Sequence, residues 1–277
     1  MPDPYASIAS ADAALQERLS TVLELRATDS QQRAMLNAYL SEVQLPDSAI
    51  ALDVGCGTGA VARALVELPG MREVIGIDPS PIFIDKAREL GKGIPQLSFH
   101  IGDARALEFS DASFDLLVFH TVLCHVPEPE RALREAHRVL RPGGWLAVFD
   151  GDYPTASVAI GAFDPLQSTV ETMVANFVHN PWLTRRLSKI LKATGFAISS
   201  LRSHGYVQTA DPTYMLTLVD RGADLLSGSG SIDAAHAEAL KGEARRRANA
   251  GEFFGHISFL SVIARATSQP GRERAKI

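Results

Sequence analysis

Leu52-Asp53-Val54-Gly55-Cys56-Gly57-Thr58-Gly59 ends a short apolar run, IALDV (50–54), and leads into AVARALVEL (60–68), where Val61, Ala64, Leu65 and Leu68 share one helical face. A strand that turns into a helix through glycines can bend tightly and leave bare backbone for a ligand to approach. In open α/β sheets the ligand crevice lies at the carboxyl ends of the strands. EVIGID (73–78) reads as the next strand and ends in Asp78, 19 residues after Gly59. A carboxylate there can accept two hydrogen bonds from a ribose diol. Together these features describe a site for an adenosine-containing molecule.

The same alternation continues outward. After Asp78, Ser80 is a helix cap and Pro81 a first helical residue, and that helix buries Phe83, Ala87 and Leu90. LSFHIGD (97–103) and FDLLVFH (114–120) are further strands, with Asp115 placed to position the start of the second. VPEPERALREAHRVL sets Leu133, Ala136 and Leu140 inward, Arg141-Pro142-Gly143-Gly144 stops it, and WLAVFD (145–150) follows as a fifth strand. LTRRLSKILKATG turns Leu187, Ile190 and Leu191 inward and stops at Gly195. Two late β-type runs, 196–209 and 253–266, close the pattern, and the last lacks a crossover to a parallel partner. The expected fold is α/β: a Rossmann-like seven-stranded sheet, mostly parallel with the last strand antiparallel, helices on both faces, and helical lid insertions.

The chain divides, as one globular domain, into an N-terminal helical cap (1–45), a cofactor-binding core (46–153), a helical insertion (154–182), more core (183–209), a second insertion (210–250), and the final strand and tail (251–277). Apolar stripes mark the helices outside the core: Leu15, Leu19, Val22 and Leu23 in the cap, and Leu166, Val170, Met173 and Phe177 after Asp164-Pro165. Asp211-Pro212 opens a third such helix, and Ser227-Gly228-Ser229-Gly230-Ser231 separates it from a fourth. Core packing is the first reading of these stripes; a wall over the ligand crevice is the second.

Composition narrows the function. The 277 residues are 46 % apolar and 21 % charged, which excludes a disordered tail, a collagen-like fibre and a coiled-coil rod. A formal charge of -5 gives no general attraction to phosphate backbones. Two cysteines, Cys56 and Cys124, make neither a disulfide framework nor a four-thiolate zinc site. No run reaches the roughly 18 residues that cross a bilayer, and no signal peptide is visible, so a cytoplasmic protein is expected.

Three features select among adenosine ligands. Gly55, Gly57 and Ala60 satisfy the loose dinucleotide pattern, but Asp53 before them would repel a pyrophosphate and suit a cation. Gly102-Asp103-Ala104 ends a strand where a carboxylate can accept from an adenine amino group. The antiparallel last strand departs from the usual dinucleotide sheet. A cationic, phosphate-free adenosine ligand is S-adenosyl-L-methionine. The set LDVGCGTG (52–59), GIDPS (76–80), GDA (102–104), FDLLVFHTVLCHV (114–126) and RVLRPGGWLAVFD (138–150) resembles class I S-adenosylmethionine-dependent methyltransferases, in the small-molecule branch with the ubiquinone and menaquinone methyltransferases. The resemblance implies that Gly55, Gly57 and Gly59 face the methionine and ribose. It also implies Asp53 near the ammonium, Asp78 on the ribose hydroxyls, and Pro79 or Ser80 beside the adenine. Asp103 and Ala104 would read the adenine edge, and His120 would touch the methionine end.

The implied activity is methyl transfer (EC 2.1.1) to a small, largely apolar acceptor through oxygen, nitrogen or carbon. Candidates for an active-site base stand at strand ends: His125, Asp152 and Tyr153. His204, His256, His137 and His100 read as structural, the last as an interior strand position, and Cys56 as loop filler. No His/Cys spacing suggests a metal. Alternatives are an enzyme of this fold that binds the cofactor without transferring methyl and a nucleic-acid methyltransferase. Against the latter, the one basic run, Arg245-Arg246-Arg247, reads as a solvated helix face, and no aromatic-interleaved basic surface is present. A nicotinamide oxidoreductase is a weaker alternative still. The oligomeric state is not readable.

Overall fold

The structure is a computed structural model that describes residues 3–267; the tail expected at 268–277 lies outside the described residues. Period-two alternation along the central strands sorts their side chains between two cores. In β4 (Phe114–His120), Leu116 and Val118 enter one core and Leu117 and Phe119 the other. In β5 (Leu140–Ser157), Trp145, Ala147 and Phe149 go one way, Leu146 and Val148 the other. Strands buried on both faces need cover on both, and helices supply it. Helices α2 (Ser30–Leu40), α3 (Ala60–Val66), α4 (Pro81–Leu90), α6 (Gln167–Phe177), α8 (Thr213–Gly228) and α9 (Ala234–Ala250) pack on the first core. Helices α5 (Pro129–Val139) and α7 (Leu183–Ala193) pack on the second. Helix α1 (Ala13–Thr28) lies against α4 through Leu19 and Phe83.

With β1 (Ala49–Val54), β2 (Met71–Asp78), β3 (Leu97–Ile101), β6 (Phe196–Gln208) and β7 (Gly255–Ala266), the strands form one sheet in the order β3-β2-β1-β4-β5-β7-β6. The first five pair in parallel; β7 runs antiparallel to both neighbours, β5 and β6. This is the Rossmann-like sheet expected, with the antiparallel strand inserted one place in from the edge.

Several local expectations are corrected. β5 extends beyond 145–150 at both ends, because β7 pairs with it as far as Ser157 and the Arg-Pro-Gly-Gly segment forms a register shift within the strand rather than a gap before it. His100 is exposed, not interior, since β3 is an edge strand. Leu90 is 36 % exposed because it ends the last turn of α4. In α3 the fully buried positions are Ala62 and Leu65; Val61 and Ala64 turn toward a cavity. Arg247 is not a solvated residue: it is buried and pairs with Asp164, tying α9 to the segment before α6. Arg245 and Arg246 are half exposed, as expected of that run.

Local signals explain the remaining starts. The Ser80 hydroxyl accepts from the Phe83 N–H at 3.1 Å and so caps α4. Asp12 and Asp29 cap α1 and α2 in the same way. Asp115 accepts from the Ile50 N–H at 2.9 Å and also pairs with Arg141, fixing the starts of three neighbouring strands.

Candidate active site

A cavity of about 810 Å³ opens at the carboxyl ends of β1, β2 and β4. That is toward the top of the roughly 300–1,000 Å³ range of small-molecule sites. Its floor is the turn after β1. Gly57 has φ +52° and donates its N–H to Asp78 at 3.0 Å, so the turn and the end of β2 are locked together. A Cβ at Gly57 would come within 2.8 Å of Leu23 of α1, which covers the turn. Gly55 and Gly57 line the cavity. Gly59 does not: a Cβ there would meet Phe99 at 2.7 Å, so this glycine serves the contact of α3 with the sheet.

Two acids stand in the floor. Asp53 is 1 % exposed, and burial raises its carboxyl from 3.8 to about 7, against one hydrogen bond from the Ala62 backbone. Its Oδ2 has no hydrogen-bond partner among the described residues. Burial likewise raises Asp78 to about 6, although its oxygens accept from the Ser80 and Gly57 N–H groups. An unpaired buried carboxylate is costly unless a cation or donor arrives. Of the five other buried side-chain atoms without a hydrogen-bond partner among the described residues, four belong to cavity residues: Thr58 Oγ1, Arg26 Nε, and both amide atoms of Gln32. Such a concentration of unsatisfied groups is the mark of a site that a ligand completes.

Beside the acids, His120 lines the cavity, shares a 2.9 Å hydrogen bond with the Tyr39 hydroxyl, and stacks on Phe149 at 4.6 Å. Burial lowers its imidazole to about 3, so it is neutral at physiological pH. Thr121 follows in the left-handed region at φ +57°, an uncommon conformation for a β-branched residue. Its N–H donates to the Phe149 carbonyl, and Arg26 donates to its hydroxyl at 3.4 Å. Pro79, Asp103 and Ala104 also line the cavity. Arg105 holds Asp103 at 2.7 Å and lowers its carboxyl. Ser80 is fully buried, donates to Gln16 at 2.6 Å, and does not line the cavity.

The candidate bases separate. His125 lines the cavity, with Nδ1 at 2.7 Å from Asp3 Oδ2. Asp3 is itself fixed by the N–H groups of Tyr5 and His179. Tyr153 lines the cavity and touches Cys124 at 3.7 Å; burial pushes its phenol well above the usual range. Asp152 is not brought to the cavity. It shares the β5 face of Leu146 and Val148, which packs on α7, and Arg185 of that helix donates to it at 2.9 Å. Asp150 supports the loop after β4 by accepting from the Cys124 N–H at 3.0 Å. His204 bonds Ser261 and His137 bonds the Thr267 carbonyl, both away from the cavity.

The roof comes from the flanks. The cap contributes Tyr5, Val22, Arg26 and Gln32; the insertions contribute Met173, Phe177, Tyr214, Leu218 and Arg221. Of the stripe on α6, Leu166 and Val170 are wholly buried in the core, while Met173 and Phe177 reach the cavity. Sequence reading missed Asp3, Arg26, Gln32 and Arg221. Asp3, Arg26 and Arg221 act through contacts far along the chain, and Gln32 reaches the cavity by the packing of α2, so no local pattern marks any of them.

Comparison with known proteins bears on the floor most directly. The methyltransferase-domain family model matches residues 52–148. A 37.1 kDa protein of transposon TN4556 from Streptomyces fradiae is 28 % identical over 264 residues, 92 % of this chain and 73 % of that protein. The 2-phytyl-1,4-naphtoquinone methyltransferase of Thermosynechococcus vestitus is 35 % identical over 116 residues, 42 % of this chain and 52 % of that enzyme. The chain spans about half the length of the quinone methyltransferases it matches. Geranyl diphosphate C-methyltransferase of Streptomyces coelicolor A3(2), solved with Mg2+, geranyl diphosphate and S-adenosyl-L-homocysteine, shares the fold with TM-score 0.54 and 12 % identity, over 85 % of this chain and 79 % of that one. Among the described residues no helix is long and apolar enough to cross a membrane, and no group of three His, Cys, Asp or Glu is placed to hold a metal ion.

Proposed function

We propose that this chain, which carries a methyltransferase domain over residues 52–148, binds S-adenosyl-L-methionine and transfers its methyl group to a small, largely apolar organic acceptor. The observation that carries the reading is the buried, unpartnered Oδ2 of Asp53 beside a glycine turn. A cationic ligand without phosphates satisfies that carboxylate; a pyrophosphate would be repelled by it. Asp53 serves the methionine ammonium, Asp78 the ribose hydroxyls, and the cavity-lining residues Pro79, Asp103 and Ala104 the adenine. Gly55 and Gly57 present the turn to the methionine and ribose, since a Cβ at either would push Val122 or Leu23, both cavity-lining, out of place. A neutral His120 adds no positive charge against a sulfonium.

The bound cofactor supplies a methyl carbon already activated by the positive sulfur, released with S-adenosylhomocysteine as the other product. The protein holds the acceptor in line with that carbon, an alignment that contributes roughly 7–11 kcal/mol at best. With the cofactor held by Asp53, Asp78 and the glycine turn, its sulfur would take up the carbon–sulfur electron pair as the acceptor's lone pair formed the new bond to carbon. His125 takes the acceptor's proton at Nε2 where the acceptor must lose one. Asp3 holds Nδ1 and orients the ring, as a third group does for a histidine base in hydrolases. Tyr153 remains a neutral phenol able to donate a hydrogen bond to the acceptor. The roof residues Met173, Phe177 and Leu218 supply apolar cover and exclude water from the transfer.

Calorimetry tests the cofactor assignment. S-adenosylhomocysteine binds the wild-type chain, and Asp78→Ala weakens that binding by more than about tenfold, since two buried hydrogen bonds to a charged group are lost. Equal affinity in the two proteins would remove Asp78 from the site.

A further inference from the structure

Five arginines line the cavity, and they fall into two groups. Arg63 pairs with Glu24 at 3.0 Å and Arg105 with Asp103 at 2.7 Å. Arg26, Arg33 and Arg221 have no carboxylate partner among the described residues. Arg33 is exposed on α2. Arg26 is engaged: it donates to Thr121 and its guanidinium lies 5.5 Å from the centre of the Tyr214 ring. Arg221, on α8, has its guanidinium 5.6 Å from the centre of the Phe177 ring and carries no ion pair. Tyr5 also lines the cavity; burial raises its phenol, and the Arg221 and Arg26 guanidiniums oppose that rise, Arg221 the more strongly, which sets Tyr5 at the Arg221 end.

That end belongs to the insertion helices. Phe177 of α6 packs against the Arg221 guanidinium, Met173 of α6 and Leu218 of α8 line the same cavity, and none of these lies within the residues matched by the methyltransferase-domain model. Arg221 is half-buried, and a guanidinium that lines a cavity beside apolar side chains without a carboxylate partner is placed to receive an anion. Of the acids lining the cavity, Asp103 is paired with Arg105 and the other two, Asp53 and Asp78, lie in the floor, so the cavity is negative where the methyl donor would sit, while Arg221 lies in the roof.

We propose that the methyl acceptor is an amphiphilic carboxylate, its charged group received by Arg221 and its apolar body laid along Phe177, Met173 and Leu218. The inference rests on the methyltransferase reading and narrows its substrate class. Guanidinium matches carboxylate oxygens in a two-point geometry, and the Tyr5 hydroxyl offers a further donor at the same end. The Arg221 guanidinium by itself matches a single negative charge. A phosphate's second charge would draw on Arg26 as well, at the expense of its bond to Thr121 and its contact with the Tyr214 ring.

The test is calorimetry at pH 8 on the full chain saturated with S-adenosylhomocysteine. Three probes share a ten-carbon chain: decanoate, decanol and decyl phosphate. Decanoate is expected to bind at least about tenfold more tightly than decanol. Arg221→Gln is expected to erase that margin, Arg221→Lys to keep part of it, and neither to change the affinity for S-adenosylhomocysteine, which also shows that both variants fold. Equal binding of decanoate and decanol, no binding of any probe, a margin that survives Arg221→Gln, or decyl phosphate binding about tenfold more tightly than decanoate would each overturn the carboxylate assignment while leaving the cofactor reading standing. Failure of S-adenosylhomocysteine to bind the wild-type chain would instead overturn the cofactor reading, and this inference with it.

Discussion

The floor and the roof of the cavity are built on opposite plans. The floor is contiguous sequence: Asp53 through Thr58 lie on one turn, and Asp78 ends the adjacent strand, its register with β1 fixed by Val54 opposite Ile77. Its charge is negative and its backbone is tightly bonded. The roof is assembled from segments far apart, residues 5–36 and 173–221, and carries apolar side chains with unpaired arginines. The contrast teaches that one cavity can divide its labour. A sheet edge of fixed geometry holds the part of the chemistry that many enzymes share, and helices attached outside it choose what that chemistry acts on. The family model stops at residue 148 and therefore describes the first plan alone.

Changing His125, which stands between the two regions, should have the largest effect. His125→Gln lowers turnover by about 10²–10⁴-fold for an acceptor that must lose a proton, while S-adenosylhomocysteine affinity stays within about twofold. A parallel loss of cofactor affinity would blur the division between floor and roof, placing His125 in the first. The effect of pH on the floor is next. Asp53 ionises near 7 when folded, against 3.8 ordinarily. The folded chain therefore keeps a proton that the unfolded chain has lost between about pH 4 and 7, so the Asp53 contribution to stability falls as pH rises through that window and levels off above it. Binding of a cation to the ionised carboxylate follows the opposite sign. Affinity for S-adenosylmethionine should be full above pH 7 and fall by up to about tenfold per pH unit below it, with Asp78, near 6, adding to the loss at lower pH. An affinity that is flat between pH 8 and 6 would break the electrostatic half of the comparison. The smallest effect belongs to Asp152. Its bond to Arg185 is on the α7 side of the sheet, and that arginine's side chain is 45 % exposed. Asp152→Ala should leave turnover and cofactor affinity unchanged, and its cost of about 1–3 kcal/mol appears only in thermal unfolding, because the buried carboxylate also accepts from Thr184; a large loss of turnover would bring Asp152 into the site after all.

The sequence made the floor legible because its signals are local. Apolar runs, glycines and a carboxylate at a strand end all fall within 30 residues, and their order alone implies the parallel sheet and the crevice. Strand parity was the finer limit. Asp152 and Tyr153 are adjacent, yet they point to opposite faces of β5, so one meets α7 and the other the cavity. Gly59 shows a second limit. A positive φ is required there, but the sequence does not distinguish a glycine that admits a ligand from one that admits the Phe99 ring. The roof was hidden for a different reason. Asp3 meets His125 across 122 residues, and Arg26 meets Thr121 across 95. Such pairs follow from how helices pack on the sheet, which amphipathic spacing does not specify. The same spacing covers Leu166, sunk in the core, and Phe177, facing the cavity.

The most direct test is a titration of the full chain with S-adenosylmethionine at pH 8, repeated with Asp53→Asn. The wild type should bind one equivalent, and the variant should lose affinity by about tenfold or more because the buried carboxylate that awaits a cation has become neutral. Wild-type protein that gives no binding heat, or an Asp53→Asn variant that binds as tightly as wild type, would contradict the assignment of this floor to a positively charged methyl donor.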